Sequence, residues 1–324
     1  MTTVLVTGGS GFIGSNLCDF LLDKKYNVIN IDNFNDFYDP QIKRQNIEHN
    51  LNNPNYSLVE GDIRDLGLLK KVFSDNNIDV IIHLAAMAGV RPSIEDPLLY
   101  EDVNVKGTIN LLEMCKMYKI NKFICASSSS VYGNNKKAPF SETDVVDYSI
   151  SPYAATKKSC EVFGHVYHSL YNIDMIMLRF FTVYGPRQRP DLAIHKFTNL
   201  ISKSKKIPFY GDGLSERDYT YIDDIIDGIV KSLHYVTNNS NVYEIINLGE
   251  SHTISLSQMV NKIENELGIS AKLNKLPMQP GDVQRTYADI TKAKSLIGYN
   301  PQTDFNDGIK KFIKWYKEES LSCK

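Results

Sequence analysis

The sequence has few cysteines and no long apolar run, and each absence excludes a class of protein. Its 5 cysteines among 324 residues show no spacing typical of a metal site, and an odd number argues against a closed set of disulfides. We therefore expect no metal and a reducing compartment, the cytoplasm. No apolar stretch is long enough to span a membrane, and no signal-type segment precedes the first predicted strand. We expect no membrane partner.

An excess of one charge sign is also missing. With 36 Lys and Arg against 38 Asp and Glu, the formal net charge is -2, which gives no electrostatic footprint for nucleic acid. Hydrophobic residues make up 42% and charged residues 23%, so disordered and fibrous classes are excluded. The length suits two domains, or one large α/β unit with an elaboration.

A glycine-rich turn between a predicted strand and a predicted helix is the first motif. The apolar run from Thr3 to Thr7 leads into Gly8, Gly11 and Gly14. Such a turn lets the backbone approach a pyrophosphate, which a helix N-terminus stabilises. The next strand ends at Asp32, whose carboxylate can bind adenosine ribose hydroxyls and would repel a 2′-phosphate. The pattern predicts NAD rather than NADP; the alternative is a glycine turn without a nucleotide.

Small or hydroxyl-bearing residues follow two further predicted strands. The apolar run from Asp79 to Leu84 ends at Ala85-Ala86, and the run from Lys122 to Ala126 continues into the serines 127–130. The carboxyl ends of parallel strands meet at the edge where cofactors bind. The alanines leave room for a ligand there, and the serine hydroxyls are suited to bind a substrate oxygen.

Tyr153 and Lys157 lie four residues apart at the start of another predicted helix. Ser151 is a favourable N-cap and Pro152 suits the first helical position, so the two side chains share one helix face. The helix N-terminus and the ammonium group both favour a phenolate, the form that acts as a general base. A Tyr and a Lys at this spacing are also common on helices that have no catalytic role.

The alternation of strands and helices predicts an α/β protein with a doubly wound parallel sheet. We expect a Rossmann-type NAD-binding domain at 1–183, to which 218–248 returns, and a smaller α/β substrate-binding domain formed by 184–217 and 249–324. Asn104 near the start of a predicted helix could face the cofactor, or could simply cap that helix.

Taken together, these motifs resemble those of one known family. They are Gly8-x-x-Gly11-x-x-Gly14, Asp32, Gly61-Asp62-Ile63, His83-Leu84-Ala85-Ala86, Ser127 to Gly133, Tyr153-x-x-x-Lys157, Tyr184-Gly185-Pro186-Arg187 and Arg217-Asp218-Tyr219. Over nearly its full length the chain resembles extended short-chain dehydrogenases/reductases of the NAD-dependent epimerase/dehydratase group. Within that group, the strings Met87 to Ser93 and Phe181 to Asp191 are similar to those of UDP-glucuronate 4-epimerases.

This resemblance implies reversible 4-epimerisation of UDP-glucuronate to UDP-galacturonate through a 4-keto intermediate, with tightly bound NAD. Tyr153 would take the proton of the C4 hydroxyl, Lys157 would support the phenolate and bind the nicotinamide ribose, and Ser128 would bind the C4 oxygen. The residues implied for the cofactor are Gly8, Gly11, Phe12, Ile13, Gly14, Asp32, Asn33, Asp62, Ile63, Leu84, Ala85, Ala86, Tyr153 and Lys157.

The resemblance also implies a substrate site. Its residues are Arg91, Ser128, Ser129, Ser130, Tyr153, Thr182, Arg189, Arg217 and Arg285. Hydroxyl groups and Arg189 would hold the uronate carboxylate, Arg217 and Arg285 would bind the UDP diphosphate, and Arg91, in a predicted loop, would border the sugar. Each arginine taken alone is as readily a solvated surface group.

Ser129 and Ser130 occupy positions at which related dehydratases and decarboxylases carry acidic residues, so those reactions are not expected. Two alternatives remain: 4-epimerisation of a neutral UDP-hexose or UDP-N-acetylhexosamine, and a non-catalytic nucleotide-binding or scaffold protein. The family further implies a homodimer and a part in carbohydrate metabolism, such as cell-surface polysaccharide biosynthesis.

Overall fold

The computed structural model describes residues 1–277 and 283–322, apart from the side chains of 320–322. The strands are β1 (Thr3–Thr7), β2 (Asn27–Asp32), β3 (Tyr56–Glu60), β4 (Val80–His83), β5 (Lys122–Ser128), β6 (Asp174–Phe180), β7 (Thr182–Tyr184), β8 (Lys206–Tyr210), β9 (Glu216–Tyr221), β10 (Tyr243–Leu248), β11 (Thr253–Ser255) and β12 (Lys272–Leu276). The α-helices are α1 (Phe12–Asp23), α2 (Pro40–Ile47), α3 (Leu66–Asp75), α4 (Val90–Glu95), α5 (Pro97–Tyr100), α6 (Gly107–Tyr118), α7 (Pro152–Tyr171), α8 (Ala193–Ser202), α9 (Ile222–Asn238), α10 (Leu256–Leu267), α11 (Thr291–Ile297) and α12 (Phe305–Ser322).

Seven parallel strands form the central sheet in the order β10-β6-β5-β4-β1-β2-β3. The chain proceeds outward from β1 to β3 and then crosses to β4 on the other side of β1. This reversal is the switch point at which open α/β sheets bind ligands. The predicted doubly wound parallel sheet is confirmed.

Helices cover both faces of this sheet, whose central strands are mostly apolar and buried. Every residue of β4 and of β6 is buried, as expected for strands enclosed on both sides. One hydrophobic core lies under α1 and α9, and the other lies under α3, α6 and α7. The smaller sheets, β11-β9-β7 and β12-β8, lie in the part of the chain after residue 181. The two-domain division remains a prediction.

The start of α7 follows the sequence closely. The Ser151 hydroxyl accepts a hydrogen bond from the Ala154 N–H at 3.2 Å, and Pro152 occupies the first turn. The helix ends where Asn172 adopts a left-handed backbone conformation with φ of 54°. Capping therefore fixes both ends of the helix that carries Tyr153 and Lys157.

The predicted loop from Met87 to Ser93 is partly wrong, because α4 begins within it at Val90. Pro92 in that string suggests a break, but it lies in the first helical turn, where the missing N–H has no intrahelical partner. Gly89 precedes the helix with φ of 107°, a conformation that side chains rarely adopt. Arg91 is thus held on a short helix.

Two further features concern the length and apolarity of the helices and the state of the cysteines. Within residues 1–277 and 283–322 no helix has the length and apolarity needed to cross a membrane. The four cysteines of that part, Cys18, Cys115, Cys125 and Cys160, are buried free thiols, whereas Cys323 lies outside the described residues. Burial raises the pKa of these thiols, which makes them poor nucleophiles.

Candidate active site

A cavity of about 360 Å³ opens at the C-terminal edge of the central sheet, at the switch point. The β1–α1 turn, the tips of β2, β4 and β5, the first turns of α7 and the chain after β6 form its walls. Its size suits a small-molecule site. The strands have therefore brought distant parts of the sequence to one crevice.

The glycine turn is packed on one side and open on the other. A Cβ on Gly14 would lie 2.1 Å from the Gly8 carbonyl oxygen, and one on Gly8 would lie 2.9 Å from the Ala85 backbone. A Cβ on Gly11 would meet only the Gly8 oxygen, at an ordinary 3.4 Å. Gly11 is the N-cap of α1, and among the described residues no side chain caps that helix end. The uncapped N–H groups and the space beside Gly11 fit a pyrophosphate.

Alanine substitutions test which of these glycines is required for packing of the turn. Gly14→Ala should destabilise the fold by about 1–3 kcal/mol, because the new methyl group overlaps the backbone of Gly8. We expect a fall in the thermal unfolding midpoint of several degrees. Gly11→Ala is the matched control and should leave that midpoint within about one degree of wild type. Equal midpoints for both variants would contradict this packing.

Asp32 lies buried at the tip of β2 and is fixed by the backbone. Its Oδ2 accepts the Ser10 N–H and its Oδ1 accepts the Phe34 N–H, both at 3.0 Å. Burial raises the pKa of Asp32, while these two N–H groups and the charge of Lys43 act in the opposite direction. Each carboxylate oxygen retains a lone pair for a hydroxyl group. The arrangement fits a ribose at this strand tip.

Asp62 follows β3 beside Asp32. Hydrogen bonds from Arg64 lower the pKa of Asp62 to about 2, and Asn33 adds a bond of 2.9 Å from its amide nitrogen. The carboxylate is therefore ionised and held in the cavity wall together with Asn33 and Ile63.

Several cavity residues were missed in the sequence. Those from the polar segment after β2 are Asn35, Phe37, Tyr38 and Lys43, and those from other segments include Met87, Gly89, Val103 and Leu192. Lys43 is buried, and its Nζ donates to the Asn35 backbone oxygen at 2.8 Å and to its Oδ1 at 2.7 Å. The sequence offered one indication that Lys43 could lie in the cavity: its segment follows β2, whose C-terminal end is at the ligand-binding edge of the sheet.

Tyr153, Lys157 and Ser128 all face this cavity. Lys157 Nζ donates to the Ala126 carbonyl oxygen at 2.8 Å, which fixes the first turns of α7 against the end of β5. The Tyr153 ring packs edge-on against Tyr100, with 6.2 Å between ring centroids. A phenol, an ammonium group and a hydroxyl group thus line one cavity, and together they are suited to proton transfer at a hydroxyl group of a ligand.

A buried ion pair between Arg179 and Glu161 stabilises the contact between α7 and the end of β5. Arg179 binds both carboxylate oxygens of Glu161 at 2.8 Å, and each side chain is only 1% exposed. Ser127, next to Ser128, donates to the same carboxylate at 2.7 Å. Glu161 lies one turn beyond Lys157 on α7. The end of β5 is therefore bound to α7 at two points.

Breaking this pair should be costly. Glu161→Gln leaves the Arg179 charge buried without its partner, so we expect a loss of about 3–5 kcal/mol in the free energy of unfolding. The double variant Glu161→Gln/Arg179→Met removes both charges and should recover part of the loss. Urea unfolding of both variants measures these values. A loss below about 1 kcal/mol for the single variant would contradict the role of the pair.

His83 and Asn104 stabilise the cavity walls. The His83 ring lies between the hydroxyls of Thr7 and Thr108, at 2.7 and 3.0 Å, and burial lowers its pKa to about 3. It is a neutral structural side chain. Asn104 accepts from the Met87 N–H at 2.8 Å and donates to the Met87 oxygen at 3.0 Å.

Asn104 does not cap a helix of the described residues, so that expectation is wrong. It is also not among the described residues that line the cavity, and its position relative to a cofactor stays a prediction. It lies in a π-helical turn, Glu101–Lys106, which precedes α6. Its amide also donates to Thr156 Oγ1 at 3.0 Å, so it joins the wall at Met87 to α7. A π-helical turn is not predictable from apolar periodicity, and such turns are frequent near functional sites.

The cavity brings together most of the predicted site residues. These are Gly8, Gly11, Phe12, Ile13, Gly14, Asp32, Asn33, Asp62, Ile63, Leu84, Ala85, Ala86, Ser128, Tyr153, Lys157, Thr182 and Arg189. The predicted residues that are not among the described cavity walls are Arg91, Ser129, Ser130, Arg217 and Arg285. The assigned roles of both groups remain predictions.

Four of these five residues have contacts elsewhere that the structure defines. Ser130 donates its backbone N–H to Ser128 Oγ at 3.1 Å, and Arg91 packs over the Tyr210 ring with 5.2 Å to the centroid. Arg285 binds the Glu216 carboxylate, and Arg217 donates to the Glu216 backbone oxygen at 2.8 Å. The two arginines predicted for a diphosphate therefore meet at one residue of β9.

The parallel sheet, the glycine turn, the strand-tip carboxylate and the Tyr–Lys helix define the class of extended short-chain dehydrogenases/reductases. The family model described as GDP-mannose 4,6 dehydratase matches residues 5–312, so the chain belongs to this epimerase/dehydratase family.

Relatives give the comparison more detail. A UDP-glucuronate 4-epimerase of Thermodesulfobacterium geofontis is 42% identical over 97% of this chain and 96% of its own. The UDP-glucuronic acid 4-epimerase of Bacillus cereus, solved with UDP-glucuronic acid and NAD, is 40% identical with a TM-score of 0.92, covering 98% of this chain and all of its own. A UDP-glucose 4-epimerase of Thermotoga maritima, solved with UDP-glucose, is 30% identical with a TM-score of 0.90 at the same coverages.

Proposed function

We propose that the protein catalyses the reversible 4-epimerisation of UDP-glucuronate to UDP-galacturonate through a 4-keto intermediate, with NAD as its resident cofactor. The observation that carries the proposal is one cavity in which Tyr153, Lys157 and Ser128 meet Thr182 and Arg189. The relatives from Thermodesulfobacterium geofontis and Bacillus cereus support the choice of a uronate.

The residues of the sheet edge fit NAD. The uncapped start of α1 would hold the pyrophosphate, Asp32 would bind the adenosine ribose, and Lys157 would reach the nicotinamide ribose. When bound there, NAD would supply the acceptor for the hydride of C4 and, once reduced, the donor of that hydride to the opposite face of the sugar. Since each turnover restores NAD, the cofactor need not leave.

The chain's own residues manage the proton and the oxygen at C4. Tyr153, as phenolate, removes the proton of the C4 hydroxyl and gives it back after the keto sugar has turned in the site. The Lys157 ammonium stabilises the phenolate. Ser128 hydrogen-bonds the same oxygen, and the Ser130 backbone N–H, which donates to Ser128 Oγ, holds that hydroxyl oxygen in place.

The uronate carboxylate needs a charged partner in this partly buried site. Arg189 supplies it, and the Thr182 hydroxyl adds a hydrogen bond. Ser129 and Ser130, which directly follow β5, complete the carboxylate site. These contacts hold the carboxylate so that the carbon–carbon bond joining it to the sugar ring does not align with the π-system of the 4-keto group. The intermediate, a β-keto acid, therefore does not lose CO₂. Arg217 and Arg285 bind the UDP diphosphate, and Arg91 borders the sugar.

The chain's wider organisation follows the same proposal. The NAD-binding domain comprises 1–183 with 218–248, and the substrate domain comprises 184–217 with 249–324. Two such chains pair through the outer faces of α6 and α7, where exposed apolar side chains cluster; these are Met117, Val162, Phe163, Val166 and Leu170. Contiguous exposed apolar side chains of this kind mark interfaces. The free thiols suit the reducing cytoplasm.

A comparison of three substrates tests the proposed function. Purified protein is given UDP-glucuronate, UDP-glucose or UDP-N-acetylglucosamine, and the 4-epimer formed is measured. We expect the highest kcat/KM for UDP-glucuronate. The relative from Thermotoga maritima favours a second candidate, a neutral UDP-hexose 4-epimerase. A preference for UDP-glucose would support that candidate, and no turnover of any of the three would support a non-catalytic nucleotide-binding protein.

A further inference from the structure

Asp191 forms a bidentate ion pair with Arg189. Arg189 Nε donates to Asp191 Oδ1 at 3.0 Å, and Nη2 donates to Oδ2 at 2.8 Å. The Arg189 side chain is 17% exposed and lines the cavity, whereas Asp191 is 43% exposed and is not among the described residues that line it. Asp191 thus holds the guanidinium without itself forming part of the described cavity wall.

Arg189 is distinct among the three cationic side chains that line the described cavity. Lys43 donates to the Asn35 side-chain and backbone oxygens, and Lys157 donates to the Ala126 carbonyl oxygen. Arg189 is the one whose hydrogen bonds go to a carboxylate. Its charge is therefore largely compensated within the protein, two residues along the same chain.

The geometry leaves one edge of the guanidinium for a ligand. An arginine carries five N–H donors, and Asp191 takes those of Nε and one of Nη2. The edge formed by Nη1 and the second Nη2 hydrogen remains for another anion. The Phe37 ring, 5.0 Å from the guanidinium carbon, limits rotation of this plane.

We propose that Asp191 sets how strongly the site prefers a uronate over a neutral hexose, and that it does so only through Arg189. This inference rests on the proposed function. A cation in a partly buried site is unfavourable without a counterion. With Asp191 present, Arg189 stays paired when a neutral sugar binds, so the neutral sugar is only weakly rejected. When a uronate binds, its carboxylate must share the Arg189 cation with the carboxylate of Asp191. Asp191 therefore lowers discrimination between the two.

The variant Asp191→Asn tests this inference. The amide keeps the shape and one acceptor but removes the charge, so the substrate carboxylate becomes the main counterion of Arg189. We expect the KM for UDP-glucuronate to fall about fivefold to tenfold, with kcat within about twofold because the groups at C4 are unchanged. The inhibition constant of UDP-glucose against UDP-glucuronate should stay the same or rise.

Two controls separate this effect from a general change in structure. The inhibition constant of UDP, which has no sugar, should be unchanged in Asp191→Asn. In an Arg189→Ala background, adding Asp191→Asn should leave the ratio of UDP-glucose to UDP-glucuronate constants unmoved. An unchanged or reduced preference for the uronate, or a shift that persists without Arg189, overturns the inference. A wild-type protein that fails to turn over UDP-glucuronate overturns the proposed function as well.

Discussion

Tyr153→Phe should lower the rate of 4-epimerisation at least about a thousandfold, because it removes the oxygen that takes and returns the C4 proton. The ring and its edge contact with Tyr100 remain, so folding and substrate binding should change little. The measurements are kcat with UDP-glucuronate and the inhibition constant of UDP.

Tyr100→Phe is the matched control for this variant. The Tyr100 hydroxyl donates to the Ala88 carbonyl oxygen at 2.8 Å, so its loss should affect the wall of the cavity and not the chemistry. We expect this variant to retain activity within about tenfold of wild type. Comparable losses for the two variants would mean that Tyr153 acts through packing and is not the general base.

Arg189→Ala should weaken UDP-glucuronate binding about 30-fold or more, since it removes the charged partner of the uronate carboxylate. Binding of UDP-glucose, which has no carboxylate, should weaken no more than about threefold. Asp191, left without its partner, remains accessible to water and adds little cost. Inhibition constants of both nucleotides against a common substrate measure the difference.

Arg187→Ala is the control for this second variant. Arg187 lies two residues earlier and pairs with Asp19 at 2.7 Å, and it is not among the described cavity residues. Its loss should affect UDP-glucuronate and UDP-glucose equally. Equal losses of the two nucleotides in Arg189→Ala would overturn the assignment of Arg189 to the carboxylate.

The parts that sequence reasoning predicted well are those that local chemistry determines. Gly14 has no space for a Cβ next to the Gly8 oxygen, so a glycine at this position already indicates the tight turn. Ser151 and Pro152 cap α7, which fixes where Tyr153 and Lys157 lie on it. The conformation of such motifs can be predicted from the sequence because a few neighbouring residues specify it.

The parts that it missed depend on contacts between distant segments. Lys43 enters the cavity only because α2 folds back beside the tip of β2, and nothing in its own neighbourhood indicates this. Asn104 is turned inward by a π-helical turn that apolar spacing does not reveal. Glu161 and Arg179 lie on different elements, and only the packing of α7 against β6 forms their ion pair. In each case tertiary packing decides the role.

The most direct test of the proposed mechanism uses UDP-glucuronate that carries deuterium at C4. The purified protein is incubated with it, without added NAD, and the product is followed by proton NMR. If the C4 hydrogen is removed and returned within one site, UDP-galacturonate forms and the deuterium stays at C4. Product with protium from water at C4, or no product until NAD is added, would contradict the account of a resident cofactor and an internal hydrogen transfer.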